Sequence, residues 1–65
     1  MQLIVNGEPC QTQAVFVLDL ILERGLVPER VAVVHNDAIV PATARAQTRL
    51  VEGDRVELLA FAAGG

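Results

Sequence analysis

One helical segment stands among several strand-like segments, and this pattern limits most strongly the folds open to this chain of 65 residues. In the stretch AVFVLDLILERG, Ala14, Val17, Leu18 and Ile21 share one face at helical spacing, and Gly25 is a natural helix end. A single helix covers only one face of a sheet. The sequence therefore predicts an α+β domain in which one helix packs across a mixed sheet that curls around it.

Turn signals divide the rest of the chain into short strands. Asn6-Gly7 predicts a tight hairpin between the first two strands, because both central residues of a type I′ turn need a positive φ. Pro9 lacks a backbone N–H, which predicts that the second strand lies at a sheet edge. Further strands are predicted for residues 31–35, 38–40 and 55–61.

The predicted order β-β-α-β-β-β is that of the β-grasp arrangement, with a mixed sheet of four to five strands and one main helix. We expect the last strand to lie centrally and parallel to the first. Residues 1–61 would then form the β-grasp domain, and residues 62–65 would leave the sheet as a flexible C-terminal tail that ends in Gly64-Gly65.

Composition and charge exclude several function classes. The net charge is −3, and all five cations are arginines scattered along the sequence, whereas nucleic-acid binding needs clustered positive charge. No apolar run approaches the ~20 residues of a membrane span, and the start of the chain shows no basic signal-peptide region. A single cysteine, Cys10, excludes an intramolecular disulfide and fits a reducing compartment. These features predict a cytoplasmic protein without nucleic-acid or membrane partners.

Several polar and apolar residues allow two interpretations. His35 could be a metal ligand, but it has no cysteine at ligand spacing, so a structural role is favoured. Three carboxylates, Glu52, Asp54 and Glu57, lie close together in the sequence. A solvated turn is the favoured interpretation, an acidic patch for docking a basic partner is the next, and an acid–base pair is the least favoured. Leu59 and Phe61 alternate with the core-facing residues of the last strand, and they predict either a partner-binding patch or additional core.

Five pieces of the sequence, in this order, resemble the ThiS-type sulfur carriers of the ThiS/MoaD family, which are bacterial relatives of ubiquitin. They are MQLIVNGE, ERGL, VAVVHNDAIVP, EGDRVELL and the terminal GG, and together they extend over essentially the whole chain. The spacing from Asn36 through Pro41 to Gly53, at this length, resembles ThiS more than MoaD. The chain departs from the family pattern at Phe16, His35, Asp37 and Ala42.

The resemblance implies a function for the terminal residues. In this family an E1-like adenylyltransferase of the ThiF type joins the terminal carboxylate, here Gly65, to AMP from ATP. Sulfur from a cysteine desulfurase relay then replaces AMP, and thiazole synthase of the ThiG type uses the thiocarboxylate to make the thiazole of thiamin. Gly64, Ala63 and Ala62 would thread the partner's narrow site.

The resemblance further implies that the chain is a carrier and not an enzyme. We therefore expect no catalytic residue, no metal and no permanently bound cofactor, because the partner enzyme uses the ATP. Candidate docking residues are Phe61, Leu59, Asp54 and Glu57. Two other functions stay open at this point. One is sulfur delivery to molybdopterin or another acceptor, and the other is a non-covalent β-grasp interaction module.

Overall fold

The computed structural model describes residues 1–61, which form a five-stranded mixed sheet crossed by one α-helix. The elements are β1 (Gln2–Val5), β2 (Glu8–Gln11), α1 (Val17–Glu23), β3 (Val31–His35), β4 (Ala38–Ile39) and β5 (Arg55–Ala60). Two short 3₁₀ turns span Pro28–Arg30 and Ala42–Ala44. No helix within residues 1–61 has the length and apolar character to cross a membrane.

The strand order is β2-β1-β5-β3-β4, so the last strand occupies the centre of the sheet. β5 runs parallel to β1, with Val56 beside Val5, and antiparallel to β3, with Leu58 beside Val33. β2, which contains Pro9, lies at one edge. The predicted β-grasp arrangement, the parallel central pair and the edge position of β2 are all confirmed.

Two tight turns set the register of the outer hairpins. Asn6 and Gly7 have φ values of 51° and 82°, as the type I′ prediction requires. Asn36 and Asp37 repeat this geometry between β3 and β4, with φ values of 50° and 72°. Asp37 therefore occupies a left-handed position that glycine adopts more readily, and its side chain can tolerate this conformation.

The helix is shorter than predicted. It begins at Val17, and Phe16 precedes it in an extended conformation. The carboxylate of Asp19 accepts hydrogen bonds from the amides of Phe16 and Val15, at 2.9 and 3.3 Å. Asp19 thus supplies the half of a capping box in which the side chain of the third helical residue accepts from the N-cap amide, while Phe16 has no side-chain oxygen for the other half. Ala14 lies outside the helix as a result.

The core lies between α1 and the inner face of the sheet. Leu20, and not Leu18, completes the buried helix face with Val17 and Ile21, while Leu18 is only half-buried. Neither phenylalanine belongs to the core, which is aliphatic as the composition indicates. The buried apolar side chains are Leu3, Val5, Ala14, Val17, Leu20, Ile21, Val31, Val33, Val40, Leu50, Val56 and Leu58.

Candidate functional site

The described chain ends where β5 leaves the sheet. Ala60 lies opposite Val31, and one residue later the Phe61 amide donates a hydrogen bond of 2.7 Å to the carbonyl of Arg30. This is the last backbone hydrogen bond of β5 among the described residues, and it fixes the point from which the following residues start. The predicted tail residues Ala62, Ala63, Gly64 and Gly65 lie outside the described residues.

An apolar surface begins beside this exit point and continues over the sheet face that α1 does not cover, as far as Ile4, which lies beside Arg55 at the other end of β5. Leu59 and Phe61 are 57% and 58% exposed, so the alternative that they form additional core is wrong for the isolated chain. Ile39 on β4 is 81% exposed and lies opposite Val34 of β3. We refer to Ile4, Val34, Ile39, Leu59 and Phe61 together as the outer patch.

Charged side chains border the outer patch. Glu57 is exposed between Arg55 and Leu59, and the guanidinium of Arg55 donates a hydrogen bond of 2.8 Å to the carboxylate of Asp37. These charged groups surround a shallow depression of about 150 Å³ that Ile4 and Val34 also line. A partner surface with apolar side chains and a basic group opposite Glu57 would complement this arrangement.

Asp54 lies at the opposite end of β5 and belongs to the interior. Its side chain accepts hydrogen bonds from His35 Nε2 at 2.7 Å, Asn36 Nδ2 at 3.0 Å and the Val51 amide at 2.9 Å. Burial alone raises the pKa of Asp54, but the hydrogen bonds from these three donors outweigh it, and the pKa lies below its usual value.

The prediction of a solvated turn at Asp54 is therefore wrong, because this residue is only 7% exposed. A strand histidine and a turn asparagine enclose it, and neither contact has a signal in the local sequence. His35 has the structural role that its isolation favours. Since the carboxylate of Asp54 is occupied by the fold, Glu57 is the better placed acidic docking candidate.

Within residues 1–61, no three side chains of His, Cys, Asp or Glu lie together in a group that could hold a metal ion. Cys10 lies on the edge strand β2, where its sulfur is 3.9 Å from a guanidinium nitrogen of Arg24. The strand position agrees with the structural interpretation of this residue.

The sequence as a whole decides the family. A sequence model of the ThiS family matches residues 3–65, which includes the helix and all of the sheet except Gln2. The chain belongs to the ThiS family.

Solved structures agree with this assignment. The ThiS-family chain superimposes on the crystal structure of a thiamine biosynthesis protein (ThiS) from Geobacter metallireducens with a TM-score of 0.83, at 32% identity and with full coverage of both chains. An NMR structure of a thiamine biosynthesis protein from the same organism gives the same TM-score and identity and is covered over 88% of its length.

Curated relatives place a similar sequence within a much longer protein. The thiazole synthases of Paramagnetospirillum magneticum and Magnetococcus marinus are 38% and 36% identical to this ThiS-family chain over 66 aligned positions, which include all of it. The chain spans only about a fifth, 20%, of the length of each of these relatives.

Two features of the described residues have no clear signal in the sequence. Ile39 extends the outer patch onto β4, and only the pairing with Val34 reveals that the two side chains share a face. Arg45 is buried in this ThiS-family chain, although its surroundings in sequence, ATARAQT, are small and polar and suggest an exposed loop.

Proposed function

We propose that this chain is a sulfur carrier in thiamine biosynthesis, and that the carboxylate of Gly65 receives the sulfur and hands it on. The observation that carries the proposal is the position of β5, the central strand of a ThiS-family fold, which in the sequence is followed after four residues by Gly65 of the terminal Gly64-Gly65 pair, counted from Phe61. The names of the similar proteins, thiazole synthase and ThiS thiamine biosynthesis protein, point to the same pathway.

The chemistry begins with an ionised α-carboxyl group, whose usual pKa is near ~3.5. A carboxylate oxygen of Gly65 attacks the α-phosphorus of ATP, the bond to the β-phosphate breaks, and pyrophosphate leaves. Hydrosulfide then attacks the carbonyl carbon of the acyl adenylate, and AMP leaves with the bridging oxygen. The product is a thiocarboxylate, in which one oxygen is replaced by sulfur. When a protein persulfide is the donor, its outer sulfur attacks the same carbon, and the carrier is then joined to the donor by an acyl disulfide. A thiol must reduce this disulfide to release the thiocarboxylate.

The tail residues suit a confined site. Gly64 and Gly65 have no Cβ, so they add no width and do not restrict φ, and Ala62 and Ala63 add only methyl groups. Four extended residues reach at most ~14 Å beyond Phe61. The chain thus acts as a substrate, while an E1-like adenylyltransferase of the ThiF type binds ATP and supplies catalysis. We propose no metal and no permanently bound cofactor for the carrier itself.

The outer patch is the proposed docking surface for the adenylyltransferase and for the sulfur acceptor. It combines the exposed Leu59 and Phe61 with the neighbouring carboxylate of Glu57, directly beside the start of the tail. Thiazole synthase is the proposed acceptor, because relatives with that name contain a region similar to this whole chain. A cysteine desulfurase relay is the proposed sulfur source, and the reducing cytoplasm is the proposed location.

A reconstituted assay tests the function and the acceptor together. The carrier is incubated with ATP and a ThiF-type adenylyltransferase, and pyrophosphate release is measured. Carrier charged with sulfide is then given to a thiazole synthase or to a molybdopterin synthase large subunit. We expect pyrophosphate release that depends on the carrier and sulfur transfer to thiazole synthase. Transfer only to the molybdopterin enzyme would contradict the thiamine assignment, and the absence of pyrophosphate release would contradict the carrier function.

A further inference from the structure

Arg45 is buried without a carboxylate partner among the described residues, which is an unfavourable position for a charged side chain. It is only 7% exposed, and its Nε has no hydrogen-bond partner within residues 1–61. Burial of a cation costs free energy unless its donors are satisfied. The two donors of Arg45 that are satisfied indicate what this residue contributes.

Both terminal nitrogens of Arg45 hold the segment in front of β3. Nη1 donates to the carbonyl of Pro28 and Nη2 to the carbonyl of Val31, each at 2.7 Å. The backbone of Arg45 is itself fixed, because its carbonyl accepts a hydrogen bond of 3.1 Å from the amide of Leu18 at the start of α1. Arg45 therefore connects the beginning of the helix to the first 3₁₀ turn.

The backbone carbonyl of Arg30 holds the exit of β5, and it lies between the two carbonyls that Arg45 contacts. Arg30 falls between Pro28 and Val31, and its oxygen accepts the hydrogen bond of 2.7 Å from the Phe61 amide. We call the contact between Arg30 and Phe61 the exit clasp. Because the guanidinium fixes the carbonyls on both sides of Arg30, it limits the positions that the acceptor of the exit clasp can take.

We propose that Arg45 is a positioning residue for the carrier reaction, which acts through the exit clasp to fix where the tail begins. This inference rests on the proposed function, since it concerns delivery of the Gly65 carboxylate to ATP. Without the exit clasp, the last backbone hydrogen bond before Gly65 lies one residue earlier, and the greatest reach from that point, at most ~14 Å for four extended residues, grows by about 3.5 Å. The carboxylate then samples a larger volume, and a productive orientation becomes rarer.

Hydrogen exchange at the Phe61 amide tests the structural step directly. The Asn6 amide, which donates to the Val56 carbonyl at 2.9 Å, provides an internal reference for opening of the β1–β5 pair, at a distance from the exit. In Arg45→Met, exchange at Phe61 relative to Asn6 should accelerate by about tenfold or more, and Arg45→Lys should lie between this variant and the parent. Arg49→Met is the matched control, because Arg49 is an exposed arginine of the same loop and should leave the ratio unchanged.

Kinetics of adenylation test the positioning step. Arg45→Met should lower kcat by about tenfold with little change in KM, because the outer patch lies on the other face of the sheet. A second pair of variants does not depend on the folding of Arg45→Met. Phe61→Pro and Phe61→Ala both lose the ring, but only proline removes the N–H of the exit clasp, so its kcat should be lower.

The proposal is overturned if both Arg45 variants keep the parental exchange ratio, if Arg49→Met changes it equally, or if Phe61→Pro and Phe61→Ala are adenylated with the same kcat. Failure of the proposed function has a different signature. In that case the parent protein itself is not adenylated, while the exchange measurements still report whether Arg45 supports the exit clasp.

Discussion

The two ends of β5 are held in opposite ways. At its entry, the buried carboxylate of Asp54 accepts three hydrogen bonds, from His35, Asn36 and the Val51 amide. At its exit, the Phe61 amide donates one backbone hydrogen bond to Arg30, and the side chain of Phe61 is 58% exposed. One strand therefore has a polar, buried beginning and an apolar, open end.

This difference separates stability from function along a single strand. The entry has its polar groups satisfied internally, so changes there should reduce the free energy of unfolding. The exit leaves apolar area uncovered beside the residues that we propose to enter a partner, so changes there should reduce partner binding or catalysis and spare the fold. Variants at the two ends of β5 test whether stability depends on the entry and function on the exit.

Deletion of Gly65 should have the largest effect. The shortened chain ends about 3.5 Å closer to the fold, so its carboxylate falls short of ATP and adenylation should be lost. Gly65→Val should also impair adenylation, because a branched Cβ restricts φ and widens the tail. Pyrophosphate release measures both effects. The Tm should stay at the parental value, and a lowered Tm with normal adenylation would reverse the roles that we assign to the two ends.

Phe61→Asp should weaken binding to the adenylyltransferase by about 30-fold, which corresponds to ~2 kcal/mol, because it places a charge in the apolar outer patch. Titration calorimetry measures the Kd, and thermal unfolding checks the fold. Leu22→Asp is the matched control, since Leu22 is 56% exposed but lies on α1. Equal losses of affinity in both variants, or unfolding of Phe61→Asp, would remove the outer patch from the account.

Asp54→Asn should lower the free energy of unfolding by about 1–3 kcal/mol, because an amide cannot replace a carboxylate that accepts from three donors. Urea denaturation gives this value. Glu57→Gln supplies the control, since this exposed side chain makes no described hydrogen bond to the fold, and its stability should stay close to that of the parent. If Asp54→Asn retained full stability, the entry would not be the stabilising end of β5.

The pH dependence of Asp54 should be the smallest effect. Its folded-state pKa lies below its ordinary value of 3.8, so its contribution to stability is fully present above that value and is lost as the pH falls through the lowered pKa. Between about pH 5 and about pH 2, the parent should lose stability more steeply than Asp54→Asn. Urea midpoints across this range measure the two slopes. Parallel slopes would mean that Asp54 titrates alike in the folded and unfolded states.

Local signals predicted most of the fold. The Asn6-Gly7 turn, the edge proline and the alternation of β5 each depend on neighbouring residues, and the structure confirms all three. The sequence pattern places the start of α1 too early, because the apolar positions Ala14 and Val17 continue the helical spacing although an extended residue, Phe16, lies between them. Periodicity records which positions are apolar, but it does not show where the backbone first becomes helical.

Contacts between distant segments could not be predicted in the same way. His35 and Asp54 are 19 positions apart, and Arg45 reaches Pro28 across 17. Asp54 and Arg45 both lie in polar stretches of sequence that suggest an exposed position. Only the assembled sheet shows that the two side chains are buried. The candidate site is predictable from the sequence only in part. Alternation along β5 predicts the outward position of Leu59 and Phe61, whereas the position of Ile39 beside Val34 is known only from the pairing of β4 with β3.

The central claim is that Gly65 carries the sulfur, and the intact mass of the protein tests it most directly. The carrier is incubated with ATP, a ThiF-type adenylyltransferase and sulfide, and fragmentation locates the change. The account predicts that one oxygen is exchanged for one sulfur at Gly65, in the parent and equally in Cys10→Ser. An unchanged mass, or a mass change that fragmentation locates at a residue other than Gly65, would contradict it.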